Sequence, residues 1–237
     1  MTKVEEKISV LMSTYNSQDK IRSSLESILD QTYENLEFII LDDNSEDGTF
    51  EILEEYKSKN DSIKLLKNES NIGLTKSLNI LISESSGNYI ARQDDDDFSA
   101  RNRLEIQMRL MKKFELDFCT LRAITMPEEK LRPGLSYYLP NKLLIKYKNP
   151  FIHGSLLIKK SVLEKNGNYD EDFYYAQDYK LMSDLLKKGY KYRIINNPLY
   201  KLNTKNNISE LKKTEQKYYA DCVKKNIRPE IINENLH

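Results

Sequence analysis

Apolar residues in the first two thirds of the chain follow two alternating patterns. Short unbroken runs rich in strand formers occupy Ile8–Met12, Phe38–Leu41, Ile63–Leu66 and Tyr89–Arg92. Between them the apolar positions are helically spaced. These are Ile21, Leu25, Ile28 and Leu29, then Phe50, Ile52, Leu53 and Tyr56, then Leu74, Leu78, Leu81 and Ile82. Turn residues at Asn44–Thr49 (NSEDGT) separate the second strand from its helix. Short apolar strands alternating with helices predict a parallel sheet covered on both faces. Ligands of such sheets bind beyond the carboxyl ends of the strands. Three polar clusters fall there: Ser13-Thr14-Tyr15-Asn16, Asp42-Asp43 and Asp94-Asp95-Asp96-Asp97.

Beyond Arg103 the pattern changes. It predicts a helix over Leu104–Phe114, a strand over Leu116–Ile124 and a strand over Ser155–Ile158. A helix over Tyr179–Lys188, stopped by Gly189, and a last strand over Tyr190–Ile195 follow. Met126–Pro150 carries four prolines and reads as a long functional loop. From Lys201 the chain is rich in Lys and Asn, with Ile208, Leu211 and Tyr218-Tyr219 marking a weak amphipathic helix. No repeat or flexible linker divides the chain, so the expectation is one α/β domain over residues 1–200 and an extension over 201–237.

The 37 basic and 37 acidic residues balance. A chain gripping nucleic acid through its phosphates carries a basic excess, so nucleic acid is not an expected partner. No run approaches the ~20 apolar residues that span a bilayer, and no signal-peptide core follows Met1–Lys7. Two cysteines, Cys119 and Cys222, and two distant histidines make neither a disulfide framework nor a zinc site. The expected location is the cytoplasm, with contact at the inner face of the cytoplasmic membrane left open. The Lys-rich tail could meet anionic lipid, but it also carries acids, and a solvated helix face is the better reading.

The aspartates at 94–97 are the most informative feature. Adjacent carboxylates repel, and hard oxygen ligands suit Mg2+ or Mn2+ bridging to a diphosphate. In an extended stretch Asp94 and Asp96 would share one face, Asp95 and Asp97 the other. A solvated acidic loop is the plain alternative. Asp42-Asp43 suits a helix cap or a nucleobase N–H acceptor, and Tyr15 suits packing or stacking on a base. Asp178 falls at a helix start, where the dipole stabilises a carboxylate and where a general base could also sit. His153 could orient an acceptor or a phosphate, or be structural.

Taken in order, these motifs resemble the bacterial family 2 glycosyltransferases, which have the GT-A fold. The resemblance runs through ISVLMSTYN at 8–16, SILDQTY at 27–33, FIILDDNSEDGT at 38–49 and Asn71-Ile72-Gly73-Leu74. It continues through Gly87–Arg92, the Asp run, RLEIQ at 103–107, His153-Gly154-Ser155, Gly167–Asp170 and Gln177-Asp178-Tyr179. It implies a single GT-A type domain with a mostly parallel, Rossmann-like sheet and a C-terminal helical extension. Residues of about 7–100 would bind nucleotide, and residues of about 101–200 the acceptor.

The implied donor is a nucleotide-diphospho-sugar, usually UDP-linked, held with Mn2+ or Mg2+. Ser13, Thr14 and Tyr15 would hold the base, Asp43 would read the uracil N–H with Asp42 beside it, and Lys76 would lie near ribose or phosphate. Asp94-Asp95-Asp96 would be the DxD motif, with Asp96 the main metal ligand and Asp94 and Asp95 toward ribose and donor. Asp178 would be the base of an inverting transfer. His153, Gly154 and Gln177 would border the acceptor or donor sugar. The implied acceptor is a hydroxyl of a glycan or lipid-linked glycan in surface polysaccharide assembly. Gln177 stands where many members have Glu, and Arg101 where Pro is common. A sugar-phosphate nucleotidyltransferase is disfavoured because Ser13–Asn16 contains no glycine. A non-catalytic binding module would leave Asp178 without a purpose. Oligomeric state is not legible.

Overall fold

The apolar runs of the first hundred residues become four strands. The computed structural model describes residues 6–205 and 212–230. Strands β1 (Ile8–Thr14), β2 (Leu36–Asp42), β3 (Ile63–Lys67) and β4 (Tyr89–Arg92) alternate with helices α1 (Ile21–Leu29), α2 (Thr49–Lys59) and α3 (Leu74–Ser83). Then come β5 (Phe98–Ser99), α4 (Arg103–Phe114), β6 (Phe118–Leu121), β7 (Ala123–Met126), β8 (Leu131–Arg132) and the short α5 (Asn141–Leu144). The chain continues through β9 (Leu157–Lys159), α6 (Lys160–Asn166), α7 (Gln177–Lys187), β10 (Tyr192–Ile195), β11 (Tyr200–Asn203) and α8 (Lys213–Lys225).

The main sheet has the order β10-β6-β9-β4-β1-β2-β3. It is parallel except for β9, which runs against both β4 and β6. Alternation along each strand feeds two cores. Leu11, Ile39 and Leu41 face α3, α6, α7 and α8, while Val10, Met12, Phe38 and Ile40 face α1, α2 and α4. Both faces are covered, which is why these strands read as unbroken apolar runs. Strand order reverses between β4 and β1, so the crevice at their carboxyl ends is a topological switch point.

The second half departs from the pattern in particular places. The predicted strand Leu116–Ile124 is two strands in two sheets. Arg122 makes the corner: its N–H donates to Ile195 O (3.0 Å), its Nε to Pro133 O (3.1 Å) and its Nη1 to Asn196 Oδ1 (2.8 Å). Beyond it, β7 joins a small sheet ordered β5-β11-β7-β8. These strands are too short for a periodic signal. Ser155 belongs to a turn of 3-10 helix over His153–Ser155, ahead of β9. Strand β11 crosses residue 200, and α8 buries Tyr219, Cys222 and Val223 in the core that α7 lines. Ile208 and Leu211 of the predicted tail helix lie outside the described residues. Both cysteines are buried and free, and burial pushes the Cys119 thiol up to about 12.

Candidate active site

The aspartate run leaves β4 at the switch point. It is not extended: Asp97 N–H donates to Asp94 O (3.3 Å), closing a turn through Asp95 and Asp96. The alternation expected of an extended stretch therefore does not apply here. A run of like charges relaxes by fanning out round a turn, and each carboxylate finds its own partner. Asp94 Oδ1 accepts from Arg92 Nη2 at 2.5 Å. Asp95 Oδ2 accepts from Ser17 Oγ at 2.6 Å. Asp96 Oδ2 accepts from Asn203 Nδ2 at 3.1 Å and lies 3.8 Å from Lys20 Nζ. Asp97 Oδ1 accepts from Asn203 N at 2.6 Å, while its buried Oδ2 has no partner.

The turn is held from beneath by a fully buried guanidinium. Arg103 donates to Arg92 O (2.7 Å), Gln93 Oε1 (3.0 Å), Ser99 Oγ (2.7 Å) and Gln107 Oε1 (2.9 Å). Burial pushes Arg103 down to about 10. Gln93 Nε2 adds bonds to the carbonyls of Asp94 and Asp97. Tyr200 Oη accepts from Asp94 N at 3.2 Å. Burial, followed by the Asp95 and Asp94 charges, pushes Asp96 up to about 6. Burial likewise raises Asp95, and raises Asp97 well above the usual carboxylate range.

Hard oxygens crowded in this way fit a divalent cation. Among the described residues no three His, Cys, Asp or Glu side chains converge as a complete cage.

The remaining predicted residues spread over the adjacent strand ends. Thr14 and Asp42 are partners in the β1–β2 register, both buried, and Thr14 Oγ1 and Asp42 Oδ1 lack partners. The other Asp42 oxygen accepts from Ser45 N at 3.0 Å. Ser13 is half-buried, and Tyr15 is exposed. Asp43 is turned inward. Its Oδ1 accepts from Asn68 Nδ2 (2.7 Å) and Ile72 N (3.0 Å), its Oδ2 from Gly73 N (2.8 Å). A carboxylate has about four acceptor positions, so one on Oδ2 remains. Lys76 lies on the exposed side of α3.

Across the crevice, Asp178 is the second residue of α7. Ala176 before it sits at φ 54°, a left-handed conformation costing about 1–2 kcal/mol in a non-glycine residue. Asp178 Oδ2 accepts from Asn149 Nδ2 at 2.7 Å. Gln177 is buried beside it. His153 Nε2 lies 2.7 Å from Tyr169 Oη. Burial, then the Arg92 charge, lowers the His153 pKa, against the pull of Asp94 and Asp178. The charges of both Asp94 and Asp178 therefore reach the imidazole. Gly154 leaves room where no side chain fits, against Asp94 and Tyr200.

Several participants carried no sequence signal. Asn203, Tyr200 and Asn149 come from segments with no periodicity. Ser17 and Lys20 follow a recognisable cluster but belong to no motif. Arg92 and Arg103 lie inside the matched stretches Gly87–Arg92 and RLEIQ, and their residue types alone do not mark them as supports of the turn.

The fold is that of glycosyltransferases of known structure. Over 90% of the chain it superposes on 61% of the mannosyltransferase PcManGT of Pyrobaculum calidifontis, solved with GDP-Man and Mn2+, at TM-score 0.75 and 19% identity. The chain belongs to glycosyl transferase family 2, whose model matches residues 9–167. The putative glycosyltransferase EpsE of Bacillus subtilis is 37% identical over 65% of this chain, which spans 57% of that relative's length. The enzyme WfaP of Escherichia coli is named a UDP-Glc:alpha-D-GlcNAc-diphosphoundecaprenol beta-1,3-glucosyltransferase. It is 29% identical over 81% of this chain and 74% of its own length. No helix among the described residues is long and apolar enough to cross a membrane.

Proposed function

We propose that the chain moves a single sugar from a UDP-linked donor to a hydroxyl of a lipid-linked or surface glycan, inverting the anomeric centre. The observation that carries this reading is that one short segment meets both sets of carboxylates: Asn149 donates to Asp178, and Gly154 packs so closely on Asp94 that a Cβ there would lie 2.5 Å from its Oδ2. Asp96, with Asp94, would hold Mn2+ or Mg2+ against the donor diphosphate. The bound ion supplies Lewis-acid stabilisation of the departing nucleotide. Tyr15 offers a stacking face, the backbone at Ser13-Thr14 lines the base, and the free acceptor position on Asp43 reads its N–H. Lys76 and Asp95 border the ribose and phosphates.

Asp178 takes the proton of the acceptor hydroxyl. Its bond from Asn149 fixes one oxygen and leaves the other for that proton. The acceptor oxygen attacks opposite the nucleotide, so an α-linked donor gives a β-linked product. His153, Gly154 and Gln177 border the reacting sugars. The names of WfaP (UDP-Glc and a diphosphoundecaprenol acceptor) and of PcManGT (Mn2+) support the donor, acceptor and metal classes.

The test is a melting panel of UDP, GDP, CDP and dTDP, each with Mn2+ or EDTA. A ligand at ~100 times its Kd stabilises by about 2.7 kcal/mol, several degrees at this size. UDP should shift the melt only with Mn2+. Asp178→Asn should keep that shift and lose nucleotide release from the donor. Unchanged turnover in Asp178→Asn removes the base, and a flat panel removes the donor site.

A further inference from the structure

The segment between β7 and the His153 turn carries a surface that the crevice chemistry does not use. Leu135 is 88% exposed, Tyr138 72%, Leu139 55%, Leu143 54% and Tyr147 69%. Soluble surfaces scatter such side chains singly, and a cluster marks a contact. The cluster has a helical order. After α5 the chain keeps turning, with Tyr147 N and Lys148 N both donating to Leu144 O (2.9 Å each). Leu143 and Tyr147 thus project from one side, while Leu144 and Ile145 are buried on the other.

The charge here is one-sided. Lys130, Arg132, Lys142, Lys146 and Lys148 are exposed, and no Asp or Glu occurs from 130 to 150 in a chain of zero net charge. None of these five forms an ion pair within 4.0 Å among the described residues, although many other cations of the chain do. Exposed Leu and Tyr ringed by unpaired Lys and Arg match an anionic lipid surface, where apolar groups enter the interface and cations meet headgroups. The tail is a poorer candidate. Its helix α8 turns Tyr219, Cys222 and Val223 inward and pairs Lys212 with Glu215 and Lys224 with Asp221.

We infer that residues 130–148 dock the protein on an anionic membrane and present the Asp178 side of the crevice to an acceptor held there. The patch is tied directly to that side. Tyr179 Oη donates to Ile145 O at 2.6 Å, and Asn149, one residue beyond the patch, donates to Asp178. The acceptor part of this inference rests on the proposed function; the docking part does not.

Co-sedimentation of the full chain with phosphatidylcholine vesicles, with and without phosphatidylglycerol, tests it. Pelleting is expected only with phosphatidylglycerol and should weaken as salt rises. Each cation at such a surface contributes about fivefold in affinity, so Lys142→Gln/Lys146→Gln/Lys148→Gln should bind about a hundredfold more weakly. Leu135→Ser/Leu139→Ser/Leu143→Ser should also fail to pellet while melting like the wild type and keeping its nucleotide-dependent shift. Asp178→Asn should pellet normally, so lost turnover and lost docking are read separately. No pelleting by the wild type, equal pelleting without phosphatidylglycerol, or unaltered pelleting of either triple variant overturns the inference. So does a dimer in sedimentation velocity that the leucine variant abolishes, because a second copy would then cover this face.

Discussion

Gly154→Ala probes how tightly the acidic turn is held. The added Cβ would lie 2.1 Å from Tyr200 Oη, 2.5 Å from Asp94 Oδ2 and 2.8 Å from Tyr200 Cζ. Both groups must retreat by about 1 Å, or the Gly154 backbone must shift, to restore van der Waals contact. Neither yields easily. Tyr200 is fully buried with the Arg103 guanidinium 5.0 Å from its ring, and Asp94 is clamped by Arg92. Overpacking of this kind costs about 1–3 kcal/mol, or roughly 3–10 °C of melting temperature in a chain of this length. With Asp94 in the role proposed for it, a ~1 Å displacement of its carboxylate costs about a hundredfold in turnover.

The comparison variant is Gly48→Ala, whose Cβ meets first the end of the exposed Gln18 side chain. Tyr200→Phe removes the atom of closest approach, at the loss of the acceptor for Asp94 N. Melting curves and nucleotide release should therefore show the Gly154→Ala/Tyr200→Phe double variant less impaired than the sum of its parts, by roughly 0.5–3 kcal/mol. A Gly154→Ala protein that melts and turns over like the wild type refutes the reasoning. Strict additivity in the double variant refutes it too.

Three further outcomes follow from the same packing. Glu37 is desolvated, but bonds from Lys7, Ser9 and Ser86 outweigh that and hold it down at about 2, below the ordinary 4.5 of a glutamate. Its contribution, at most about 3 kcal/mol, is present above pH 4.5 and lost as pH falls toward 2, so Glu37→Gln should melt lower at pH 7 and converge on the wild type in acid; a constant gap across pH counts against it. Arg103→Lys cannot supply the fork that reaches four acceptors, and the unpaired buried oxygens should lower stability by about 2–5 kcal/mol; melting within about 2 °C of the wild type would remove Arg103 as the support of the turn. Gly73 and Gly189 both have left-handed φ (86° and 79°), but only at Gly73 would a Cβ collide, 2.4 Å from Tyr174. Gly73→Ala should therefore cost about 1–3 kcal/mol more in chemical denaturation than Gly189→Ala, and equal costs would show that the Tyr174 ring simply moves aside.

The parts of this molecule that were legible in its sequence share one property: their partners are periodic and near. Strands β1, β2 and β4 are largely buried on both faces, so most of their residues are apolar and the run announces itself. Helices α1, α3 and α7 bury one stripe and show it at a spacing of three to four. The small sheet had no such marker. Strands β5 and β8 have two residues each, and β7 follows β6 after Arg122 alone. What separates β6 from β7 is not composition but three hydrogen bonds of one arginine to segments far along the chain. Nothing local in Leu116–Ile124 encodes that break.

The site divides in the same way. The rim at Ser13–Asn16, Asp42-Asp43 and Asp94–Asp97 was readable because strand ends of a parallel sheet necessarily converge. Its geometry was not. The turn at Asp94–Asp97 takes its shape from Ser17, Asn203, Tyr200 and Arg103. Asn203 and Tyr200 are more than 100 residues away, so their spacing from the motif is set by everything inserted between. The same holds across the crevice, where Asn149 meets Asp178 at a separation of 29 residues and brings residues 130–148 to the reaction side. The rim is written in local motifs because the carboxyl ends of one sheet build it. The segments facing it are irregular and are joined by contacts between residues distant in sequence, as Asn149 is to Asp178. Under the proposed function, residues 130–148 are therefore where specificity for the acceptor and its surroundings should be sought.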